Sequence, residues 1–284
     1  MPGKKKQQHQ QSAATAVALT IAGSDSSAGA GAQADLKTFG ALGVYGVTAI
    51  TCIVAETPGK VSQMQLADAA IVREQIVLLQ KSFPIAAIKT GLLCNAQIVS
   101  VVAEALRQTI QQTGTRNLVV DPVMIATTGQ PLLDGGAIEI YGRELFPLAR
   151  LITPNLDESS RLLGEPITDL PGMHRAAAAL AKKFRVAVLL KGGHLRGRFA
   201  VDVLHDGIQA IEFSAPFLAN VATHGTGCTY SAAITAELAK GAGLSEAVKF
   251  GKQFVSAAIR QHFVWNSSGG RVSALNQGLK FRPS

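Results

Sequence analysis

The stretch THGTGCTYSAA, residues 223–233, sets Cys228 behind Gly225 and Gly227 where an alanine-rich helix begins. Two glycines let backbone N–H groups turn inward as a nest at the positive end of the helix dipole, so an anion fits there. In phosphoryl transfer such a cradle stabilises charge spreading over the moving group, while a nearby base takes the proton of the acceptor hydroxyl. Cys228 is placed to be that base. A thiol of pKa about 8.5 is a few per cent ionised at neutral pH, and a helix N-terminus lowers that value by about one unit or more, so the position predicts a usable thiolate. The plain alternative is a small residue that packs well. His224 is placed to orient a phosphate, but an i, i+4 pairing with Cys228 also arises by chance, and its role stays open.

TPNLDE supplies Asn155 and Glu158 in an N-x-x-E spacing at a strand-to-helix junction. A carboxylate there holds Mg²⁺ directly or through water, because Mg²⁺ keeps several waters and takes few protein oxygens. The same pair equally serves as helix cap and dipole complement. Asp121 in VDPVM follows a buried strand and is a second metal candidate. KGGH places Lys191 beside flexible backbone, suited either to nucleotide phosphates or to a loose surface turn. A rival pattern lies earlier: Gly29, Gly31 and Ala34 fit G-x-G-x-x-[GA], with Glu56 as the acidic residue after the next strand, which would make a nicotinamide-dependent oxidoreductase. Those glycines begin several residues beyond a strand ending near Ile21, and the pattern leaves THGTGC and N-x-x-E unused. The P-loop pattern is absent. Thr226 stands where a nucleophile elbow needs glycine, which disfavours a cysteine hydrolase.

The elements that must position these residues alternate along the chain. AVALTIAG, VTAITCIVA, AAIKTG, NLVVDPVM, RLITPN and VAVLLKGG read as buried strands. Between them, Ile98, Val102, Ala105 and Leu106 share one helical face behind an Asn95 cap; NLDESSRLLG is a short helix ended by Gly164, and MHRAAAALAKKF another. This alternation implies an α/β fold, with parallel strands joined by right-handed crossovers and helices on both sheet faces. Ligands then gather beyond the carboxyl ends of the strands, so the strand-end motifs converge on one site. Residues 199–204 and 208–213, separated by His205-Asp206-Gly207, form a late hairpin and an antiparallel edge. A last helix is expected near Glu246 to Phe263.

With 284 residues, 47% hydrophobic and 16% charged, the chain fits a single domain over 16–265 between a polar N-terminal tail, 1–15, and a C-terminal tail, 266–284. The net charge of +8 owes six to Lys4, Lys5, Lys6, Arg271, Lys280 and Arg282 near the ends, and no aromatic residues interleave with basic ones. That argues against nucleic acid as partner. KKKQQHQQSAATAVALTIAGS imitates an export signal but runs straight into a glycine loop, as a buried first strand does. Residues 38–55 carry no charge, yet Gly40, Gly43 and Gly46 break them, so no membrane partner is expected. Cys52, Cys94 and Cys228 have no zinc or redox spacing, which fits a reducing cytoplasmic setting.

Seven motifs in order, TIAGSDSSAGAGAQADLKTF, ALGVYGVTAIT, KTGLL, VDPVM, TPNLDE, LLKGGH and THGTGCT, resemble the hydroxymethylpyrimidine and phosphomethylpyrimidine kinase family of thiamine biosynthesis, within the ribokinase-like superfamily. The resemblance spans roughly residues 18–260. It implies a ribokinase-like three-layer α/β/α sandwich, ATP-dependent phosphorylation of 4-amino-5-hydroxymethyl-2-methylpyrimidine and then of its monophosphate, Mg²⁺, and a homodimer. It further implies that Gly23, Asp35, Glu56, Leu92 and Val123 line the pyrimidine pocket. Asn155, Lys191, Gly193 and Thr226 would meet the nucleotide, Asp121 and Glu158 the metal, and Gly225, Thr226, Gly227 and Cys228 would form anion hole and base. Ala28, Leu92, Glu56 and Thr127 stand where relatives carry glycine, methionine, glutamine and lysine. A pyridoxal kinase of the same fold is the nearest alternative.

Overall fold

The first apolar run is strand β1 (Val17–Asp25), in which only Ser24 is not buried. The computed structural model describes residues 15–114, 116–124, 136–193, 195, 197–218, 221, 224–267 and 270–281. Its strands continue as β2 (Tyr45–Thr57), β3 (Lys60–Leu66), β4 (Ile85–Thr90), β5 (Leu118–Val120), β6 (Leu151–Ile152), β7 (Ala187–Lys191), β8 (Phe199–His205) and β9 (Ala210–Pro216). They form one sheet in the order β3-β2-β1-β4-β5-β6-β7-β8-β9. From β2 to β7 every pairing is parallel. β3 joins one edge antiparallel, and β8 and β9 the other. The expected late hairpin is β8–β9. β3 was not legible as a strand because almost every residue in it is exposed, so no buried face marks its period.

The helices cover both faces. α2 (Ala69–Ser82), α3 (Ala96–Thr113), α5 (Leu156–Leu163) and α6 (Leu170–Phe184) pack on one face around Val72, Ile76, Val102, Leu106, Leu162 and Leu180. α1 (Gly31–Ala41), α7 (Thr226–Ala239) and α8 (Leu244–Arg260) cover the other through Phe39, Ala232, Ile234, Val248 and Phe254. A short helix, α4 (Ala137–Ile140), lies between β5 and β6. In α3 the Asn95 side chain accepts the Ile98 N–H at 2.9 Å, and Ile98, Val102, Ala105 and Leu106 are all buried. Such a cap contributes about 1 kcal/mol and each large buried side chain about 1.5–3 kcal/mol. After its first turn α7 carries Ala, Ser or Thr at six of ten positions and is buried from Thr229 to Ala236, which lets it press close to the sheet.

The C-terminal boundary differs from expectation. The last helix stops at Arg260, and β10 (Phe263–Ser267) and β11 (Gly270–Ala274) form a second small sheet. Leu275, Gln277 and Leu279 are buried, and the Phe281 ring packs edge-on against Phe250 and Phe254 of α8. Apolar side chains spaced through a polar segment anchor it, so residues 270–281 are no loose tail. The N-terminal tail expected over 1–15 falls, save for Thr15, outside the described residues. No described helix is long and apolar enough to cross a membrane.

Candidate active site

β1 pairs with β2 on one side and β4 on the other, so the chain leaving β1 and the chain leaving β4 diverge and open a crevice between them. A cavity of about 410 Å³ occupies this point and runs across the carboxyl ends of the strands.

Asp25 ends β1 and organises the first loop. Its carboxylate accepts the N–H groups of Ser27, Gly29 and Ala30 and the Ser27 hydroxyl, between 2.7 and 3.1 Å. Its Oδ2 also lies 2.9 Å from His224 Nε2. Burial alone would raise this carboxyl, but His224, Ser27 and the backbone donors overcome it and hold Asp25 at about 2. His224 in turn is lifted above its ordinary value, because Asp25 outweighs the cost of burying its charge. Glu56 brings a carboxylate atom within 4.8 Å of both; burial and then Asp25 raise its pKa. Ala28 adopts φ 56°, a left-handed conformation that favours glycine.

Gly225 holds φ 80° at the cap of α7, and a side-chain carbon there would drive into the Gly29 carbonyl oxygen. Only glycine lets the two loops meet this closely. The nest that follows brings Thr226, Gly227 and Cys228 onto the cavity wall. Thr226 Oγ1 is buried without a partner among the described residues, a hydroxyl free to serve a bound oxyanion. A carbon added at Gly227 would lie 3.1 Å from Lys191 Nζ and 3.6 Å from Asp121 Oδ2.

The expected low pKa of Cys228 is overturned. Burial pushes the thiol up to about 11, and Asp35 and Asp121 add to that, while Lys89 and the Gly31 N–H pull down. Desolvation of a thiolate on this wall exceeds what the helix start returns.

Lys191 ends β7 and donates to Asp121 Oδ1 at 2.8 Å. Asp121 Oδ1 also accepts from Thr153, and Oδ2 from Ser231. Burial would raise Asp121, yet Lys191 and Lys89 keep it below the usual range. Asn155 and Glu158 form a reciprocal capping box: Asn155 Oδ1 accepts the Glu158 N–H at 2.9 Å, and Glu158 Oε2 accepts the Asn155 N–H at 2.8 Å. The capping alternative is therefore realised, and both residues still line the cavity. Burial raises Glu158 to about 7, with Lys191 opposing and Asp121 reinforcing the rise. Two buried carboxylates facing one ammonium leave a local deficit of positive charge, and Asp121's oxygens are already engaged. This donor set fits a hard divalent cation held partly through water.

At the far end Ala200, Ala215, Pro216, Phe217, Val255 and Ile259 form an apolar slot between the β8–β9 hairpin and α8. Beneath it Asp202 Oδ1 accepts the Gly192 N–H at 3.0 Å and Oδ2 pairs with Lys252 at 2.6 Å, fixing the turn that carries Gly193.

Thus Gly23, Glu56, Leu92, Val123, Asp121, Asn155, Glu158, Lys191, Gly193 and residues 225–228 all reach one cavity. Asp35 does not. It is fully buried behind the wall, engaged by Lys89 at 2.8 Å and Thr20 at 2.6 Å, because its place on the inner face of α1 turns it toward β4. Thr127 and Thr223 lie outside the described residues. Asp25 went unassigned although it sits where a strand ends, the signal used for Asp121; Asp202 and Lys252 meet only through folding. The dinucleotide alternative fails. The missing side chains of Gly29 and Gly31 make room for His224 and the Gly23 carbonyl, not for a pyrophosphate.

A switch-point sheet with an edge hairpin, a glycine nest at a helix start, and a lysine among carboxylates define a ribokinase-like phosphotransferase. The sequence matches the phosphomethylpyrimidine kinase family over residues 25–273. The hydroxymethylpyrimidine/phosphomethylpyrimidine kinase of Rhizobium meliloti is 44% identical over 228 residues, covering 80% of this chain and 84% of that one. The thiamine biosynthesis bifunctional protein ThiED of Geobacter sulfurreducens is 42% identical across 80% of this chain, which spans 46% of that longer protein. The ADP complex of Bacillus subtilis pyridoxal kinase superposes with a TM-score of 0.81 at 38% identity, covering 93% of this chain and 98% of that one. The chain belongs to the phosphomethylpyrimidine kinase family and is a kinase that takes ATP as its phosphoryl donor.

Proposed function

We propose that this chain phosphorylates the hydroxymethyl group of 4-amino-5-hydroxymethyl-2-methylpyrimidine and then the resulting monophosphate, supplying the diphosphate for thiamine biosynthesis. The observation that carries this is the continuity of one cavity from Gly23, Glu56, Leu92 and Val123, past the Gly225–Cys228 nest, to Lys191 and the apolar slot beside α8. The ring sits against Leu92, Val54 and Val123, and Glu56 accepts from the exocyclic amine. The adenine fills the slot, while Lys191, Gly193, Asn155 and Thr226 meet the phosphates. Asp121 and Glu158 hold Mg²⁺, which when bound neutralises charge on the phosphate oxygens. Cys228 takes the hydroxyl proton as oxygen attacks phosphorus, and the nest N–H groups receive the developing charge.

The chain acts in the cytoplasm as a homodimer; exposed Ile53, Met64 and Leu66 on the β2–β3 ribbon offer an apolar contact surface, which sedimentation tests. Pyridoxal is the second candidate acceptor, favoured by the likeness to the Bacillus pyridoxal kinase. Incubating the protein with ATP, Mg²⁺ and either compound, with products read by mass, decides. Mono- and diphosphorylated pyrimidine are expected; far better turnover of pyridoxal reverses the assignment.

A further inference from the structure

Gln277 stands in the C-terminal segment that follows β11, between two buried leucines. Leu275 and Leu279 are sealed with it, and Leu279 packs among Ala233 of α7 and Phe254, Ala257 and Ala258 of α8. These contacts and the Phe281 ring already anchor the segment. A side-chain amide buried among them costs free energy unless its N–H groups are matched. Gln277 is 2% exposed, and neither acceptor that its Nε2 reaches lies in its own segment.

One N–H donates to the Gly29 carbonyl oxygen at 2.7 Å, across 248 positions of sequence. The other donates to Thr229 Oγ1 at 3.4 Å. Thr229 spends its own hydroxyl hydrogen on the Gly225 carbonyl oxygen at 2.8 Å, so toward Gln277 it accepts. One amide therefore binds the loop after β1 directly and the cap of α7 through a single hydroxyl. The Gly29 oxygen it holds is the same atom that a side-chain carbon at Gly225 would strike, so the amide grips the two loops at their point of contact. Gly29 is thereby fixed at both ends, its N–H by Asp25 Oδ2 at 3.1 Å and its carbonyl by Gln277.

We propose that Gln277 is a positioning residue for phosphoryl transfer: from the C-terminal segment it keeps the Gly29 loop in register with the glycine nest that opens α7. The inference rests on the kinase reading above, in which the first loop borders the acceptor and the nest receives the phosphoryl group. Gln277 lies behind the cavity wall and moves no proton; it acts only through Gly29 and Thr229. Each reactant binds its own loop without this tie. The transition state needs both at once, with the acceptor oxygen in line with the γ-phosphorus, and a displacement of about 1 Å costs up to ~100-fold in rate. Loss of the tie should therefore appear in kcat rather than in either KM.

The test compares wild type with Gln277→Met, which keeps the volume and removes both donors, and with Gln277→His, which returns one ring N–H at similar reach. Hydrogen exchange read by mass needs no turnover. In Gln277→Met the peptides covering 25–31 and 224–231 should both exchange about tenfold faster, with those of β8 and β9 unchanged. Acceleration confined to 270–281 overturns the proposal, because the amide then serves its own segment alone. Kinetics are run below the melting transitions of all variants, with whichever acceptor the wild type turns over. They should show kcat lowered about tenfold or more, both KM values near wild type, and partial recovery in Gln277→His. An unchanged kcat, or a loss carried by one KM, overturns the proposal. Where Gln277→Met does not fold, Thr229→Val cuts the arm to Gly225 and is read by the same two measurements; wild-type exchange at 224–231 or wild-type kcat again overturns it. If the wild type phosphorylates neither compound while both loops loosen in Gln277→Met, the tie is supported and the kinase reading is what fails, so the two failures are told apart.

Discussion

His224 Nε2 lies 2.9 Å from Asp25 Oδ2, joining residues 199 positions apart and fastening the turn before α7 to the end of β1. Both residues line the cavity, so the contact ties its two loops together. Asp25 is held at about 2 against an ordinary 3.8, so its contribution to stability is full above pH 4 and is lost as pH falls through 2. His224 is raised, so its contribution is full below 6.5 and fades as pH climbs through its higher folded value. Asp25→Asn should cost about 2 kcal/mol at neutral pH and flatten the acid limb of the stability curve. Urea midpoints measured across pH test both signs.

Glu158 carries the opposite sign. Its folded pKa of about 7 exceeds the ordinary 4.5, so the unfolded chain sheds that proton first and stability falls as pH rises from 4.5 to 7. Glu158→Gln should therefore stabilise the metal-free protein at pH 8, on the order of 2 kcal/mol. It should also raise the Mg²⁺ concentration needed for half-maximal rate. Calorimetry and a Mg²⁺ titration of turnover separate these effects; unchanged metal dependence removes Glu158 from the metal's shell.

Cys228→Ala should fold and bind ATP as wild type does while lowering turnover by about two orders of magnitude or more. With the thiol near 11, the thiolate fraction grows about tenfold per pH unit, so the wild-type rate should climb from pH 6 to 9. Cys228→Asp, ionised throughout, should lose that slope. A flat wild-type profile would mean the proton goes elsewhere.

Two glycines two residues apart should fail differently. Gly225→Ala combines a left-handed φ of 80° with collision against backbone, which nothing nearby can relieve, and should cost more than about 2 kcal/mol of stability. Gly227→Ala meets only the tip of Lys191, which can shift, so the protein should fold normally with KM for ATP raised about tenfold. Melting curves and ATP titrations of the two variants distinguish these outcomes.

Hydrophobic period and strand-end motifs, both local signals, determined a parallel α/β fold with its site at the strand ends, and the family resemblance those motifs carry supplied the kinase reading and Gly23, Glu56, Leu92 and Val123 among the thirteen named residues that reach the cavity. Burial in a parallel sheet leaves unbroken apolar runs, and the chemistry follows each run directly, so both survive in a one-dimensional reading. The tertiary structure alone decided what depends on distance and desolvation. Asp35 shares the sequence neighbourhood of the substrate loop, yet the turn of α1 delivers it to Lys89 behind the wall. Cys228 sits at a helix start, yet the depth of the wall and two carboxylates from other elements set its proton affinity. β3 and the segment 270–281 joined the fold through edge pairing and spaced anchors that carry no periodic signature. Charge acts through space and is strengthened by burial, and a linear order records neither.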